Sequence, residues 1–288
     1  IDRIKAMQSV AVPLLAVFSG KVFETEGKTP LSGEVIVTYR VSGRAAEQRR
    51  SVTYTLFDKT AIVWDDDRKE AAFITPQDSA LKNYAAWASE VVKDKDLALT
   101  GYNEPLQAAM RVYEALRVLG VYYQADPASP FTKVQGKKEA VDSVTIPRTT
   151  LKRKFGDCDD LTALFCSLME SSNVESGFIT VPGHIFPAIN TKLPSAAAGS
   201  IANDAGSVIL VGDDVCVPIE ITMLDADSSF LQAWAPGAGW PAKTANPESR
   251  PRTRPATVTW SGRTSRRTSR PTAGAVAARA PCCSRRLS

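Results

Sequence analysis

The sequence holds a single histidine, His184, in 288 residues, and that scarcity prunes the chemistry open to it. A metal site built on several histidines is excluded, and any mechanism that needs an imidazole base has one candidate. The chain also lacks a G-x-S-x-G turn to present a serine nucleophile, and it has neither a G-x-x-x-x-G-K-[ST] nor a G-x-G-x-x-G loop to cradle phosphate. Its five cysteines, Cys158, Cys166, Cys216, Cys282 and Cys283, form no C-x-x-C pair, which removes zinc ribbons and dithiol redox motifs. No run approaches the roughly 18 apolar residues of a membrane span. The nearest, AVPLLAVFSG at 11–20, is short, interrupted by Pro13 and without the basic start of a signal peptide. The sequence opens on Ile1 rather than Met, so an export signal ahead of it is left open and the compartment is not legible.

Charge is split along the chain. Of 35 Lys and Arg and 31 Asp and Glu, eleven bases and one acid, Glu248, lie beyond residue 240; the tail therefore carries +10 and the first 240 residues −6. The sequence pI near 8.8 belongs to the tail, and no nucleic-acid partner is expected of the body. Residues 241–288 are Arg, Thr, Ser, Pro and Ala with few large apolar side chains. Such a composition buries too little to offset the entropy of ordering, so the tail is expected to be disordered. An electrostatic nucleic-acid or anionic-lipid contact is its alternative role.

Hydrophobic periodicity divides the rest. In GEVIVTYRV, Val35, Val37, Tyr39 and Val41 share one face, and SVTYTLF repeats the alternation with Val52, Tyr54 and Leu56, which predicts a half-buried antiparallel hairpin. TAIVW and AAFIT are expected to add two strands and complete a small β-sandwich-like domain over 1–76. The period then changes. Leu81, Tyr84, Ala85, Ala88, Val91 and Val92 recur at helical spacing, and 103–120 forms a whole helix unit with Asn103 as N-cap, Pro105 in the first turn and Gly120 past the end. Another helix opens at Asp157 and Cys158, with Leu161, Leu164, Phe165, Leu168 and Met169 as its apolar stripe. GFITV, HIFPAIN, SVILV and VCVPIE follow as four short strands, joined as a meander through turns at 182–183 and 212–214. Helices followed by an antiparallel sheet make an α+β domain over 77–240, ahead of the tail at 241–288.

Cys158 sits in the first turn of its helix, where free N–H groups and the macrodipole favour a thiolate and would draw its pKa from about 8.5 toward neutrality. Asp157, Asp159 and Asp160 oppose that by like-charge repulsion. His184 starts a strand on which His184, Phe186 and Ala188 alternate onto one face, and the helix is expected to pack on that face and bring Cys158 to the imidazole. Glu220, in VPIEIT, supplies a carboxylate that can orient the ring from a neighbouring strand.

The run IPRTTLKRKFGDCDDLTALFCSLMESSNVESGFITVPGHIFPAIN, followed by VPIEITML, resembles the transglutaminase-like superfamily, in a bacterial-type domain of papain-like cysteine-enzyme fold. The resemblance spans about residues 100–235 and is strongest at G-D-C-D-D-L-T and P-G-H. It implies Cys158 as nucleophile, His184 as base and Glu220 as third member, where many relatives carry Asp. It implies acyl transfer or amide hydrolysis on a protein or peptide through a thioester, with no cofactor and no metal. An oxyanion donor upstream of the cysteine is also implied, with Gln124 and Gln135 as candidates by position.

The blander readings are plain. A cysteine at a helix start is often a small buried residue, Cys166 and Cys216 read as packing, and Trp64, Trp234 and Trp240 as structural. The adjacent Asp159 and Asp160 are a weak calcium signal, since first-turn acids stabilise helices anyway. A catalytically inactive binding or scaffold module using the N-terminal β domain is the alternative to an enzyme. Oligomeric state is not legible.

Overall fold

A computed structural model describes residues 4, 5, 7–93, 101–127, 131–137, 140–203, 205–234 and 257–260. The chain divides into two compact units, Ile1–Ala61 and Ile62–Ser288. It is an α+β protein with antiparallel sheets, as the change of period predicts.

In the first unit, β1 (Lys28–Val41) and β2 (Arg44–Phe57) pair antiparallel from Lys28↔Phe57 to Val41↔Arg44. Ser42 and Gly43 turn the chain with φ of 50° and 80°, the double left-handed geometry that suits the twist of a hairpin. Alternate residues of β1 are partly covered only as far as Val35, while Val37, Tyr39 and Val41 are exposed. The residues expected to supply a second sheet lie mostly in the second unit. Of TAIVW only β3 (Ala61–Ile62) is a strand, and AAFIT falls within and just after a 3-10 helix, Asp67–Phe73. The reason is local: Asp66 Oδ1 accepts from the Arg68 N–H at 3.1 Å, an N-cap that turns the chain before any strand can run.

The second unit carries α1 (Ser79–Lys93), α2 (Glu104–Leu119), β4 (Tyr122–Tyr123), α3 (Phe131–Val134), β5 (Asp142–Ser143), α4 (Pro147–Arg153), β6 (Phe155–Gly156) and α5 (Cys158–Ser171). β7 (Ser176–Val181), β8 (His184–Pro194), β9 (Ile209–Val211), β10 (Asp214–Pro218) and β11 (Thr257–Trp260) complete it. Gly120 ends α2 at φ 81°, its N–H turned back to the Arg117 carbonyl at 3.0 Å. Asn103 holds the N-cap position but spends its amide on the Thr191 carbonyl, at 2.5 Å.

The main sheet runs β11-β7-β8-β10-β9. This corrects the meander: β10 inserts between β8 and β9. Val215, Cys216 and Val217 of β10 are fully buried, which an inner strand satisfies on both faces, and the long connection 195–208 lets the three-residue β9 pass to the edge. β11 pairs with β7 from Thr257↔Thr180 to Trp260↔Gly177, so four residues of the expected disordered tail form a strand. The remainder of 241–288, and Trp240, lie outside the described residues.

α5 is the centre of the unit. Its stripe Leu161, Leu164, Phe165, Leu168 and Met169 packs with Leu81, Leu106, Tyr113, Leu116, Val215, Val217 and Ile219. Another group of its side chains, Cys158 and Ala163, packs with Trp64, Phe73, Phe131, Val134, Phe178 and Ile185. A separate cluster, including Ile179, Val181, Phe186, Ala188 and Cys216, occupies the other face of the sheet. No helix among the described residues is long and apolar enough to cross a membrane.

Candidate functional site

The start of α5 is set by a glycine in a close approach. A Cβ on Gly156 would lie 2.6 Å from the Asp160 Cβ and 3.1 Å from Thr150 Cγ2, so the chain enters the helix under Asp160 only without a side chain. Asp157 caps the helix, and the Asp160 N–H is shared between Asp157 Oδ1 at 3.4 Å and Asp159 Oδ1 at 2.9 Å. Asp160 in turn accepts from the Thr145 N–H at 2.5 Å. Cys158 is thereby fixed at the helix tip, 6% exposed. Backbone N–H groups of Ile185 and Asp159 serve the sulfur and favour the thiolate, but burial first, then Asp159 and Asp157, push the thiol well above its ordinary range. The expected downward shift is corrected: with the helix tip buried, desolvation outweighs the N-terminal dipole.

His184 and Glu220 meet. Pro218 pairs with Ala188 and the Ile219 N–H donates to the Pro187 carbonyl at 2.9 Å. Continuing that antiparallel register sets Glu220 opposite Phe186, on the face His184 shares by alternation. His184 Nε2 lies 2.9 Å from both Glu220 carboxylate oxygens. A carboxylate only accepts, so the neutral ring donates from Nε2 and presents Nδ1 as its basic nitrogen. Glu220 is not a strand end. It caps a 3-10 turn, Ile221–Met223, accepting from the Thr222 N–H at 3.2 Å and the Thr222 hydroxyl at 2.5 Å, and its own N–H is bonded to the Ala233 carbonyl at 2.8 Å. Both side chains are nearly covered, at 12% and 6% exposure.

The packing that joins the two halves differs from the expected one. α5 covers the sheet face of Ile185 and Ile189, whereas Phe186 and Ala188 belong to the opposite face. The His184 ring stacks toward Phe186, centroids 5.4 Å apart. Cys158 reaches this strand at its first residues, through the Ile185 N–H, so the sulfur meets the backbone next to His184 at the start of β8, while the imidazole itself lies toward Phe186 and Glu220.

Two groups escaped the sequence. Glu70, from the 3-10 helix 67–73, is fully buried, and neither of its carboxylate oxygens has a hydrogen-bond partner. Burial first, then Asp160, Asp157 and Asp142, hold its carboxyl well above the usual range. Asp159, also fully buried with Oδ2 unpartnered, is raised by burial and by Asp157. Asp157, Asp159 and Asp160 each offer an oxygen within 4.8 Å of the others, a spacing able to hold a cation. Asp159 and Asp160 stood out in the sequence; Glu70 lies too far along the chain for any spacing to have flagged it.

The other is Tyr123. β4 pairs in parallel with β6, placing Tyr123 beside Gly156, and the Tyr123 N–H donates to the Leu224 carbonyl at 3.2 Å. It therefore bridges the approach to Cys158 and the turn after Glu220. Partial burial, then Cys158, Asp157, Asp159 and Glu220, raise its phenol, and the residue as a whole is 38% exposed. Of the two glutamines proposed by position, Gln124 is exposed with its N–H on the Gly156 carbonyl at 2.8 Å. Gln135 spends its amide on the β7–β8 turn.

No family model and no curated protein sequence matches the chain. Among solved structures, a crystal structure of a "putative protease" from Parabacteroides distasonis matches with 8% identity and a TM-score of 0.27, over 56% of this chain and 35% of its own. The chain thus spans about a third of that protein's length, and a likeness at this level carries no argument.

Proposed function

We propose that the second unit is a transglutaminase-like cysteine enzyme of papain-like fold, performing acyl transfer or amide hydrolysis through Cys158, His184 and Glu220. The observation that carries this reading is the paired 2.9 Å contact of Glu220 with His184 Nε2, beside a thiol served by the next residue's N–H. Glu220 fixes the tautomer that leaves Nδ1 to act as base. The sulfur's proton passes to Nδ1 as the sulfur attacks the carbonyl carbon of an amide, and the carbonyl oxygen gains the negative charge. The Cys158 N–H and the Tyr123 hydroxyl are the donors suited to that oxygen. Collapse of the adduct breaks the C–N bond, the proton moves from Nδ1 to the departing amine, and a thioester remains. Water or a primary amine then attacks the thioester, its proton taken by His184, and the thiol is restored.

A raised thiol pKa supports a resting thiol and not a preformed thiolate, with proton transfer and attack occurring together. The same burial also favours a second reading, a non-catalytic module that keeps the fold. Incubating the protein with a peptide library in ¹⁸O-water, with and without a primary amine, separates them by mass spectrometry. The enzyme reading expects ¹⁸O-labelled carboxylates or amine adducts that vanish in Cys158→Ala. Products that persist in that variant, or no products together with a Cys158 no more readily alkylated than Cys166, overturn it.

A further inference from the structure

The turn that delivers His184 is held from outside the sheet. Gln135 Oε1 accepts from the Gly183 N–H at 2.7 Å, and Gln135 Nε2 donates to the Val181 carbonyl at 3.1 Å. One side chain thus grips a donor and an acceptor on either side of Pro182, immediately before His184. Gly183 adopts φ 75°, and a Cβ there would lie 2.9 Å from Thr132 Cγ2, so the turn is also pressed against α3. That helix is itself anchored: the Gly136 N–H donates to the Trp64 carbonyl at 2.9 Å, and Trp64 meets Phe131 edge-on at a centroid distance of 4.6 Å. Trp64 is fully buried and donates its indole N–H to Asp142 at 2.8 Å. Phe131 and Val134 pack in the same apolar cluster as Cys158 and Ile185.

We infer that Gln135 is a positioning residue: by clamping the 181–183 turn it fixes the placement of His184 relative to Cys158. This rests on the proposed Cys158–His184 pairing. The segment 131–136 supports the thiol through apolar packing and the imidazole's strand through the Gln135 amide. A small loss of register at this turn is enough to uncouple a proton-transfer pair, since misplacement by about 1 Å costs on the order of 10² in rate.

Because the chain has one histidine, nitrogen-15 NMR of the imidazole reports His184 alone. In the wild type the ring is expected to show a single tautomer with its proton on Nε2. In Gln135→Ala the expected result is a mixed tautomer or exchange-broadened ring and a roughly tenfold slower iodoacetamide alkylation of Cys158 at pH 7. The melting temperature should remain within a few degrees of wild type. Gln135→Glu keeps the acceptor for Gly183 but loses the donor to Val181; it should fall between the two and serves if the alanine variant fails to fold. An unchanged imidazole spectrum and alkylation rate in both variants overturn the inference. If instead His184→Ala leaves Cys158 alkylation unaltered, the catalytic pairing fails, while the imidazole spectrum still reports whether Gln135 holds the turn.

Discussion

The two ends of α5 use burial in opposite ways. Toward its C-terminal end, Leu164, Phe165, Leu168 and Met169 are fully buried among apolar neighbours, and Ser167, Ser171 and Ser172 return their hydroxyls to carbonyls four residues back, at 2.7 to 3.1 Å. At its start the same depth holds Cys158, Asp159 and, from the 3-10 helix, Glu70, with unpartnered carboxylate oxygens and pKa values driven upward. One end is satisfied and the other is strained electrostatically. Stability therefore belongs to the far end, and on the proposed reading the near end carries the chemistry.

The sharpest break of that comparison is Cys158→Ala. It should abolish the products expected in the peptide-library assay while leaving the melting temperature within a few degrees of wild type, because a single buried sulfur is lost from the cluster. Phe165→Ala should do the reverse, costing about 3–5 kcal/mol, read as a fall in melting temperature, with Cys158 still alkylated at the wild-type rate where the protein remains folded. Glu220→Gln is expected to slow turnover by about 10², a partial loss, because an amide oxygen can still accept from Nε2 but cannot stabilise an imidazolium. Gly156→Ala, which forces a Cβ against Asp160, should cost about 1–3 kcal/mol in denaturant melts.

The smallest effect is a pH dependence. Burial, followed by Asp157, pushes the Asp160 carboxyl up to about 7, against Thr145 hydrogen bonds that lower it. The unfolded value is near 3.9. The folded state thus keeps a proton that the unfolded state has lost. The resulting stabilisation is fully present below about pH 4 and is lost as pH rises through about 7. Asp160→Asn removes this term, so its melting temperature relative to wild type should be higher at pH 8 than at pH 5. Equal differences at the two pH values would show that the near end of α5 is not under the electrostatic load described.

Legibility followed the range of the signal. α2 was readable because Pro105 and Gly120 are local punctuation, and β7 and β8 because Pro182-Gly183 marks their turn. Cys158, His184 and Glu220 stood out by residue type and scarcity, and the structure brings the last two into direct contact. What sequence could not supply was depth and long-range placement. Helix-tip reasoning made Cys158 acidic because burial was invisible, and Glu70 looked like an ordinary charged residue. Tyr123 gains its position from a two-residue parallel pair with β6, too short for any periodicity. The insertion of β10 between β8 and β9 depends on a connection whose path no local pattern encodes.

The central claim is that Cys158 and His184 exchange a proton. Its most direct test is the pH profile of iodoacetamide alkylation at Cys158, mapped by peptide mass spectrometry, in wild type and His184→Ala. The account predicts appreciable wild-type alkylation at pH 7, about 10² slower in His184→Ala, with the gap narrowing as pH rises and the thiol ionises unaided. Superimposable profiles across the whole range would contradict it.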